Sequence, residues 1–435
     1  MKKVALHNLG CKVNAYETDS MKQQLREAGY EIVPFREGAD IYIVNTCTVT
    51  NIADRKSRQM LHRAKKLNAE AIVVATGCYV QSAGEDMAVD ACIDVIVGNN
   101  RKGKIVEAIQ AYEAERRASF IVDINDAECA YENLSVSEIT GHTRAYIKIQ
   151  DGCNHFCHYC IIPFARGRVR SRSADSVLTE VRALAAGGVR EIVLTGIQLS
   201  AYGQDFHRRG TALIELTEDL ARIPGIERIR LGSLEPTVIT EDFVRRLAAI
   251  PQFCPHFHLS LQSGSDSVLK RMNRHYTTAR YQSACDLLRA VFDDPAITTD
   301  IIVGYPGETA EEFAATVHFV RTIGLAQTHV FKYSKRKGTR AATMPNQVDE
   351  TEKGRRSTKL IEVCKKLEYN YSSRSIGQRE MVLLEEHGRL NGEPVTYGYT
   401  ARYRRVAVPG HVPTNEMIET SIRGMDDDSC ILIGE

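Results

Sequence analysis

Between residues 145 and 334 the chain alternates a short apolar strand with a helical stretch six times: AYIKIQ at 145–150, EIVLTG at 191–196, RIRLG at 228–232, HFHLSL at 256–261, TTDIIVG at 298–304 and HVFKYS at 329–334. That order is the pattern of parallel strands joined by crossover helices. Eight such units close a barrel. Six predict an open or partial (β/α)6 barrel, placed over residues 141–371. The stretch 1–116 alternates in the same way, with strands at 3–9, 41–45, 71–76 and 93–98 and helices at about 15–28, 51–66 and 101–116, which predicts a doubly wound parallel α/β domain. A polar, acidic segment at 117–140 reads as a linker. From 372 to 435 the pattern turns to period two, in MVLLEE, VTYGYTARYRRVAV and MIETSI, with Gly, Pro and Asn between the runs. A small antiparallel β-barrel is expected there.

A chain of 435 residues with 43% hydrophobic and 26% charged residues has material for two or three packed domains. No apolar run approaches the roughly 20 residues that span a bilayer. The opening MKKVALHNLGCKVN lacks the apolar core of a signal peptide and reads as a first strand, so a cytoplasmic protein with no membrane partner is expected. Twelve cysteines in that compartment point to metal or cluster ligation, or to burial, rather than to disulfides. The net charge of +1 means that any nucleic-acid footprint must be local.

The segment DGCNHFCHYCIIPFARGRVRSR places Cys153, Cys157 and Cys160 in a loop just after the first barrel strand. Three thiolates within eight residues can wrap one metal centre. A 4Fe-4S cluster takes four ligands, so a cluster held by these three keeps one iron open to a small chelating substrate. Zinc held by the three cysteines plus His155 or His158 is the competing reading, and an electron-transfer centre is another. The spacing Cys-x3-Cys-x2-Cys, with the aromatic Tyr159 before the last cysteine, resembles the radical-SAM superfamily. That resemblance implies that the three cysteines hold a 4Fe-4S cluster whose open iron binds S-adenosylmethionine. The superfamily's Gly-Gly-Glu motif is absent; Thr195-Gly196-Ile197-Gln198 stands at the corresponding strand end. Candidate contacts to the cofactor are Tyr159, Gln198, Ser233, Glu235, Gln262 and Gly304, the last in TTDIIVGYPG, where Gly304, Pro306 and Gly307 would let a backbone approach adenine or ribose. Asp151 and Glu235 are the acid or base candidates, although no single group stands out.

Cys11, Cys47 and Cys78, in NLGCKVNAYE, VNTCTVT and ATGCYVQ, each fall within two residues of the carboxyl end of an expected parallel strand. Ligand sites in such sheets gather at that edge, although small buried cysteines are common in α/β domains. Cys92, Cys129, Cys254, Cys285, Cys364 and Cys430 read as incidental. Taken together, LGCKVNAYE, NTCTVT, GC and DGCNHFCHYC resemble the methylthiotransferases over essentially the whole chain. The resemblance implies an N-terminal methylthiotransferase domain, a radical-SAM core and a C-terminal TRAM domain. It also implies a second 4Fe-4S cluster on Cys11, Cys47 and Cys78, thought to carry the sulfur that is methylated and inserted. GCKVNAYE with NTCTVTN is most similar to the branch that acts on threonylcarbamoyladenosine. The expected reaction is radical methylthiolation of carbon 2 of N6-threonylcarbamoyladenosine at position 37, next to the tRNA anticodon, with S-adenosylmethionine as methyl donor and radical source. Isopentenyladenosine in tRNA is the alternative substrate. A zinc-stabilised RNA-binding protein without enzymatic activity is the alternative class. The implied partners are the tRNA anticodon stem-loop, a reducing electron donor and a sulfur source.

Basic and aromatic residues suited to RNA contact occur in three places. Arg166, Arg168, Arg170 and Arg172 alternate after the cluster loop, and SKRKGTR supplies Lys335, Arg336, Lys337 and Arg340. The terminal domain interleaves Tyr397, Tyr399 and Tyr403 with Arg402, Arg404 and Arg405. The helix at 51–66 carries Arg55, Lys56, Arg58, Arg63, Lys65 and Lys66. A solvated charged face is the commoner meaning of any one such run.

Overall fold

The computed structural model describes residues 1–83, 87, 90–115, 120–121, 130–137, 143–208 and 210–435. Most of the expected linker, with Cys129, lies outside the described residues. The N-terminal domain is a six-stranded sheet in the order Glu31–Val33, Lys3–Asn8, Ile41–Thr46, Ile72–Gly77, Val95–Val97, Phe120–Ile121, parallel throughout. Because strand side chains alternate between faces, Ile41, Ile43 and Val74 point to one core with Met21 and Leu25 of the helix Lys12–Glu27. Tyr42, Val44 and Val73 point to the other, with Leu61 and Ala64 of the helix Asn51–Leu67. The sheet is covered on both sides, as doubly wound packing requires. The strand Glu31–Val33 was not anticipated: three residues on a sheet edge are too few to show a period.

All six expected barrel strands form, as Arg144–Lys148, Glu191–Thr195, Arg228–Leu231, His256–Leu259, Ala296–Val303 and Gln327–Lys332. They pair in parallel as two adjoining sheets, one of the first three strands and one of the last three with Ser233–Leu234. The bridge Ile229↔Phe253 spans the join, so the wall is a continuous open barrel around one core that includes Ile192, Leu194, Leu231 and Phe257. Among the described residues no helix is long and apolar enough to cross a membrane.

The long helix Glu350–Ser372 leads into a closed five-stranded barrel of Arg379–Leu390, Glu393–Thr400, Arg405–Pro409, Met417–Met425 and Leu432–Gly434. Its pairs are antiparallel except that between Arg405–Pro409 and Leu432–Gly434. The run VTYGYTARYRRVAV folds into two strands with a turn at Tyr403, whose φ of 64° is left-handed. This barrel is bolted to the core by buried arginines. Arg228 donates to the carbonyls of Tyr399 (2.8 Å) and Met381 (2.7 Å), and Arg230 to that of Ala401 (2.8 Å).

Candidate active site

The cysteine loop at residues 153–160 is shaped by its backbone. Gly152 has a φ of 72°, and a Cβ there would fall 1.8 Å from the Arg168 carbonyl oxygen, so only glycine fits. Phe156 is also left-handed, at 47°, and the Asn273 side-chain amide donates to the carbonyls of His155 (3.1 Å) and Phe156 (3.3 Å) to hold that turn. The three thiols face one another and a set of polar partners. Gln198 Oε1 lies 3.2 Å from Cys153 Sγ, and its amide nitrogen 2.7 Å from His155 Nε2. His155 Nδ1 is 3.0 Å from Glu235 Oε1. Arg274 donates to Glu235 at 2.9 Å and to Cys157 Sγ at 3.2 Å. Burial pushes the thiols of Cys153 and Cys160 up, to about 11 and about 12, so an empty site holds them protonated and a bound metal centre must displace those protons. Burial also pushes the Glu235 carboxyl up, but the His155 hydrogen bond and the Arg274 charge outweigh it and hold the group below its ordinary value.

Both histidines that could complete a zinc site are engaged elsewhere. His155 bridges Glu235 and Gln198, and His158 Nδ1 donates to the Arg271 carbonyl at 2.8 Å. Among the described residues, the set of three His, Cys, Asp or Glu ligand atoms within 4.8 Å of one another is His62, Asp90 and Cys92. Three thiols whose neighbouring histidines are bonded to other groups fit a 4Fe-4S cluster with one open iron.

The second triad assembles at the carboxyl edge of the N-terminal sheet. Cys11 caps the helix Lys12–Glu27, Cys47 follows the strand Ile41–Thr46, and Cys78 begins the helix Cys78–Ala83 directly after Ile72–Gly77. A Cβ on Gly10 would meet Cys47 Sγ at 3.1 Å, so the loop bearing Cys11 lies directly against Cys47. Gly77, with a φ of 99°, has no room for a Cβ beside the Thr46 backbone and thereby sets Cys78 at the strand end. Burial is the largest effect on the thiols of Cys11 and Cys47, which it pushes up, the second to about 11.

The segment that follows Cys160 meets the second triad through Arg166. This residue ends the short helix Ile162–Arg166, just beyond Cys160, and its side chain is fully buried. Its Nε donates to Cys78 Sγ at 3.2 Å, Nη1 to Glu17 at 2.8 Å and to Asp151 at 3.1 Å, and Nη2 to Asn14 at 2.8 Å. Lys102 and Lys148 each reach Glu17 at 2.7 Å, and Lys148 reaches Asp151 at 2.6 Å. Burial alone would raise the Glu17 carboxyl, but Arg166, Lys102 and Lys148 overwhelm it and hold the group well below its ordinary value. Asp151 is held down in the same way by Lys148, Arg166 and Arg170. Asp151 is therefore an ionised structural anchor rather than an acid or base.

Several expected contacts are corrected. Arg166, Arg170, Arg404 and Tyr397 are not available to RNA. Arg166 is spent on the interdomain cage, and Arg170 is buried on Asn100 and the Arg166 carbonyl. Arg404 is buried against Ser375, Asp294 and the ring of Tyr371. Tyr397 packs inside the terminal barrel and donates to the Arg389 carbonyl at 2.7 Å. Arg402 clamps the carbonyls of Asp293 and Asp294 at 3.1 Å, which makes it a domain bracket. Arg172 pairs with buried Glu180, and Arg336 with Asp54 and Thr48. Arg168 remains exposed, its guanidinium 4.7 Å from the Phe156 ring centre.

For the cofactor candidates, Gly304 needs to be glycine because a Cβ there would meet the Lys353 side chain at 2.3 Å. Gln198 and Glu235 lie against the cysteine loop. Ser233 is exposed two residues before Glu235, and Tyr159 packs beside Tyr305 and Tyr333. Gln262 holds a left-handed φ of 69° and bridges to Ile301. Sequence reasoning missed Arg274, Asn14, Glu17, Lys102 and Lys148. The signal for Asn14 and Glu17 was LGCKVNAYE itself, since Asn14 and Glu17 follow Cys11 at helical spacing. A cavity of about 630 Å³, lined by Phe156, Cys157, His158, Cys160, Phe164 and Arg340 among others, opens beside the loop, within the size range of small-molecule sites.

Residues 147–320 match the Radical SAM superfamily, and residues 3–98 the uncharacterized protein family UPF0004. The threonylcarbamoyladenosine tRNA methylthiotransferase MtaB of Bacillus subtilis (strain 168) is 40% identical over 96% of this chain and 92% of its own length. Its namesake in Aquifex aeolicus (strain VF5) is 37% identical over 89% and 94%. A tRNA-2-methylthio-N(6)-dimethylallyladenosine synthase of Maricaulis maris (strain MCS10) is 36% identical over 90% and 88%. Among solved structures, the radical S-adenosylmethionine methyltransferase TsrM of Kitasatospora setae, bound to cobalamin and a [4Fe-4S] cluster, superposes with a TM-score of 0.60 at 18% identity, covering 79% of this chain and 77% of that one. That likeness concerns the fold. With two cysteine triads at an interdomain seam and relatives matching nearly end to end, the chain belongs to the radical-SAM tRNA methylthiotransferases.

Proposed function

We propose that this protein transfers a methylthio group to carbon 2 of N6-threonylcarbamoyladenosine at position 37 of tRNA, using two 4Fe-4S clusters and S-adenosylmethionine. The observation that carries the reading is Arg166, which puts Cys78 of one triad within 3.2 Å of the chain segment that follows Cys160 of the other. One S-adenosylmethionine-cleaving centre and one sulfur-bearing centre at a single seam is the arrangement that sulfur insertion demands. When bound, the clusters supply the electron for reductive cleavage of S-adenosylmethionine and the site that carries sulfur, chemistry no side chain can provide at an unactivated aromatic carbon.

The chain's own residues position and insulate. Cys153, Cys157 and Cys160 would hold the first cluster, and Cys11, Cys47 and Cys78 the second. Arg274 on Cys157 and Arg166 on Cys78 place a buried cation at one thiolate of each triad, which favours the added negative charge of a reduced cluster. Gln198, Glu235 and Ser233 are polar groups at strand ends where the amino and carboxylate groups of S-adenosylmethionine would be received. Phe164, Val49 and Ile52, all exposed near the two cysteine loops, offer apolar surface to an everted base. Arg340 lines the cavity and exposed Arg168 stacks on its Phe156 wall, and both are offered for phosphate contact. The protein acts in the cytoplasm, with a reducing electron donor and a sulfur source as partners.

Anaerobically reconstituted protein is expected to hold about eight irons per chain. With reductant and S-adenosylmethionine, it is expected to form the methylthio derivative of threonylcarbamoyladenosine in tRNA from a strain lacking the gene. Formation of the methylthio isopentenyl nucleoside instead would overturn the substrate assignment. Stoichiometric zinc without iron would overturn the enzyme class.

A further inference from the structure

The helix Asn51–Leu67 carries a charged face that the fold does not use. Ser57, Leu61 and Ala64 form its buried side, and Lys65 is taken by Asp94 at 2.7 Å. Arg55, Lys56, Arg63 and Lys66 are exposed and have no ion-pair partner among the described residues. Arg55, Arg58, Gln59, His62, Arg63 and Lys66 line a groove of about 450 Å³. Arg58 lies 5.6 Å from the Tyr79 ring centre and donates to its hydroxyl at 3.0 Å. Among the described residues, Asp90 at this face is bonded to His62 at 2.8 Å, and Asp54 at the helix start is taken by Arg336 at 2.6 Å.

The start of the helix is fixed at the active site. Ser57 Oγ donates to the Cys47 carbonyl at 3.0 Å, the Asn51 amide donates to Ser334 Oγ at 3.0 Å, and Arg336 binds Asn51 and Asp54 at 2.6 Å. The face therefore begins at the second cysteine triad and runs away from it. From Arg55 to Lys66 it extends about 16 Å, at 1.5 Å per residue, with a cation on nearly every turn. In a protein of net charge +1, that is a concentrated local field.

We propose that this face is a phosphate-tracking surface on which the stem of the RNA substrate lies while its loop enters the seam between the two triads. This rests on the tRNA reading above and assigns the stem a docking direction. A row of cations in line matches a polymer with one charge per nucleotide, and the row starts where the modified base must sit. An acidic electron-transfer protein is the rival occupant.

The test measures tRNA binding by the cluster-loaded protein directly, by fluorescence anisotropy across a salt series. Iron content and unfolding midpoint serve as the check on folding. Replacing Arg55, Arg63 and Lys66 with Gln is expected to weaken binding at least tenfold at physiological salt and to lower the log–log salt slope by about 1 per lost contact. The charge-keeping pair Arg55→Lys and Arg63→Lys is expected to retain the wild-type slope. Shortening the stem of the RNA is expected to abolish sensitivity to Lys66→Gln before sensitivity to Arg55→Gln. An unchanged affinity and slope in the triple variant overturns the proposal. So does a defect seen only with a protein reductant and relieved by dithionite, which assigns the face to the electron donor. Wild-type protein that binds tRNA in this salt-dependent way but forms no methylthio nucleoside would instead sink the function and leave the surface standing.

Discussion

Arg166 is the side chain on which the two halves of the site depend. It is fully buried, and its guanidinium meets Glu17, Asp151, Asn14 and Cys78 at once. Removing one partner of a buried ionic set leaves the others uncompensated, at about 3–5 kcal/mol. Arg166→Ala is therefore expected to lower the unfolding free energy by that order, read from denaturant midpoints at constant slope. Arg166→Lys keeps the charge but loses the fork that reaches Cys78 and Glu17 together, so it should recover part of the stability without restoring the product. At Gly152 the effect is steric. Gly152→Ala drives a methyl into the Arg168 carbonyl, and the expected outcome is loss of the iron held by Cys153, Cys157 and Cys160 with the other cluster's iron retained, measured by iron per chain. Residue types and spacing made the six cysteines legible. They did not show which way an arginine points: Arg166, Arg168 and Arg170 alternate in sequence, yet only Arg168 faces solvent. The acids that claim Arg166 lie 149 and 15 positions away, beyond the reach of any local pattern.

The helix Ala310–Ile323 shows how one element is secured. Thr309 and Glu312 form a reciprocal capping box at its start, and Glu312 also takes Arg271 and Ser267. The hydrogen bond from Arg271 is the main cause that holds the Glu312 carboxyl at about 2, against an ordinary 4.5. A carboxyl depressed on folding stabilises the protein above its unfolded value and loses that contribution as pH falls. The stability supplied by Glu312 is thus full above about pH 5 and drains away between about 4.5 and 2. Glu312→Gln is expected to cost about 1 kcal/mol at neutral pH and to flatten the acid limb of the stability profile, followed by circular dichroism. Elements of this kind were readable in sequence: the barrel strands declare themselves as apolar runs because both faces of a parallel sheet are covered. The strand Glu31–Val33 and the turn at Tyr403 did not, since the first is short and the second sits inside an unbroken alternating run.

At the scale of the molecule, arginines carry the joint between the core and the terminal barrel. Arg228 and Arg230 close the core onto the carbonyls of the terminal barrel, Arg144 reaches Glu385 at 2.8 Å, and Arg402 and Arg404 hold Asp293 and Asp294. Truncation after residue 377 would remove the terminal-barrel acceptors of Arg228, Arg230 and Arg144, and would take Arg402 and Arg404 away from Asp293 and Asp294. The truncated protein is expected to lose solubility and to melt well below the full chain in a thermal scan, rather than to behave as an independent core. Domain order could be read from the change of period along the sequence. The joints could not, because each is a pairing between distant positions.

The cage around Arg166 also bears on maturation. Four cations, Arg166, Lys102, Lys148 and Arg170, surround the two carboxylates of Glu17 and Asp151, and the sulfur of Cys78 accepts from Arg166 at an edge of this positively charged cage. The segment that delivers Arg166 also covers Cys78 from the side of the central domain. Cys78 is thus sealed on the side of the central domain while Cys11 stays exposed, so the second triad would be loaded from the side of Cys11 rather than through the closed seam.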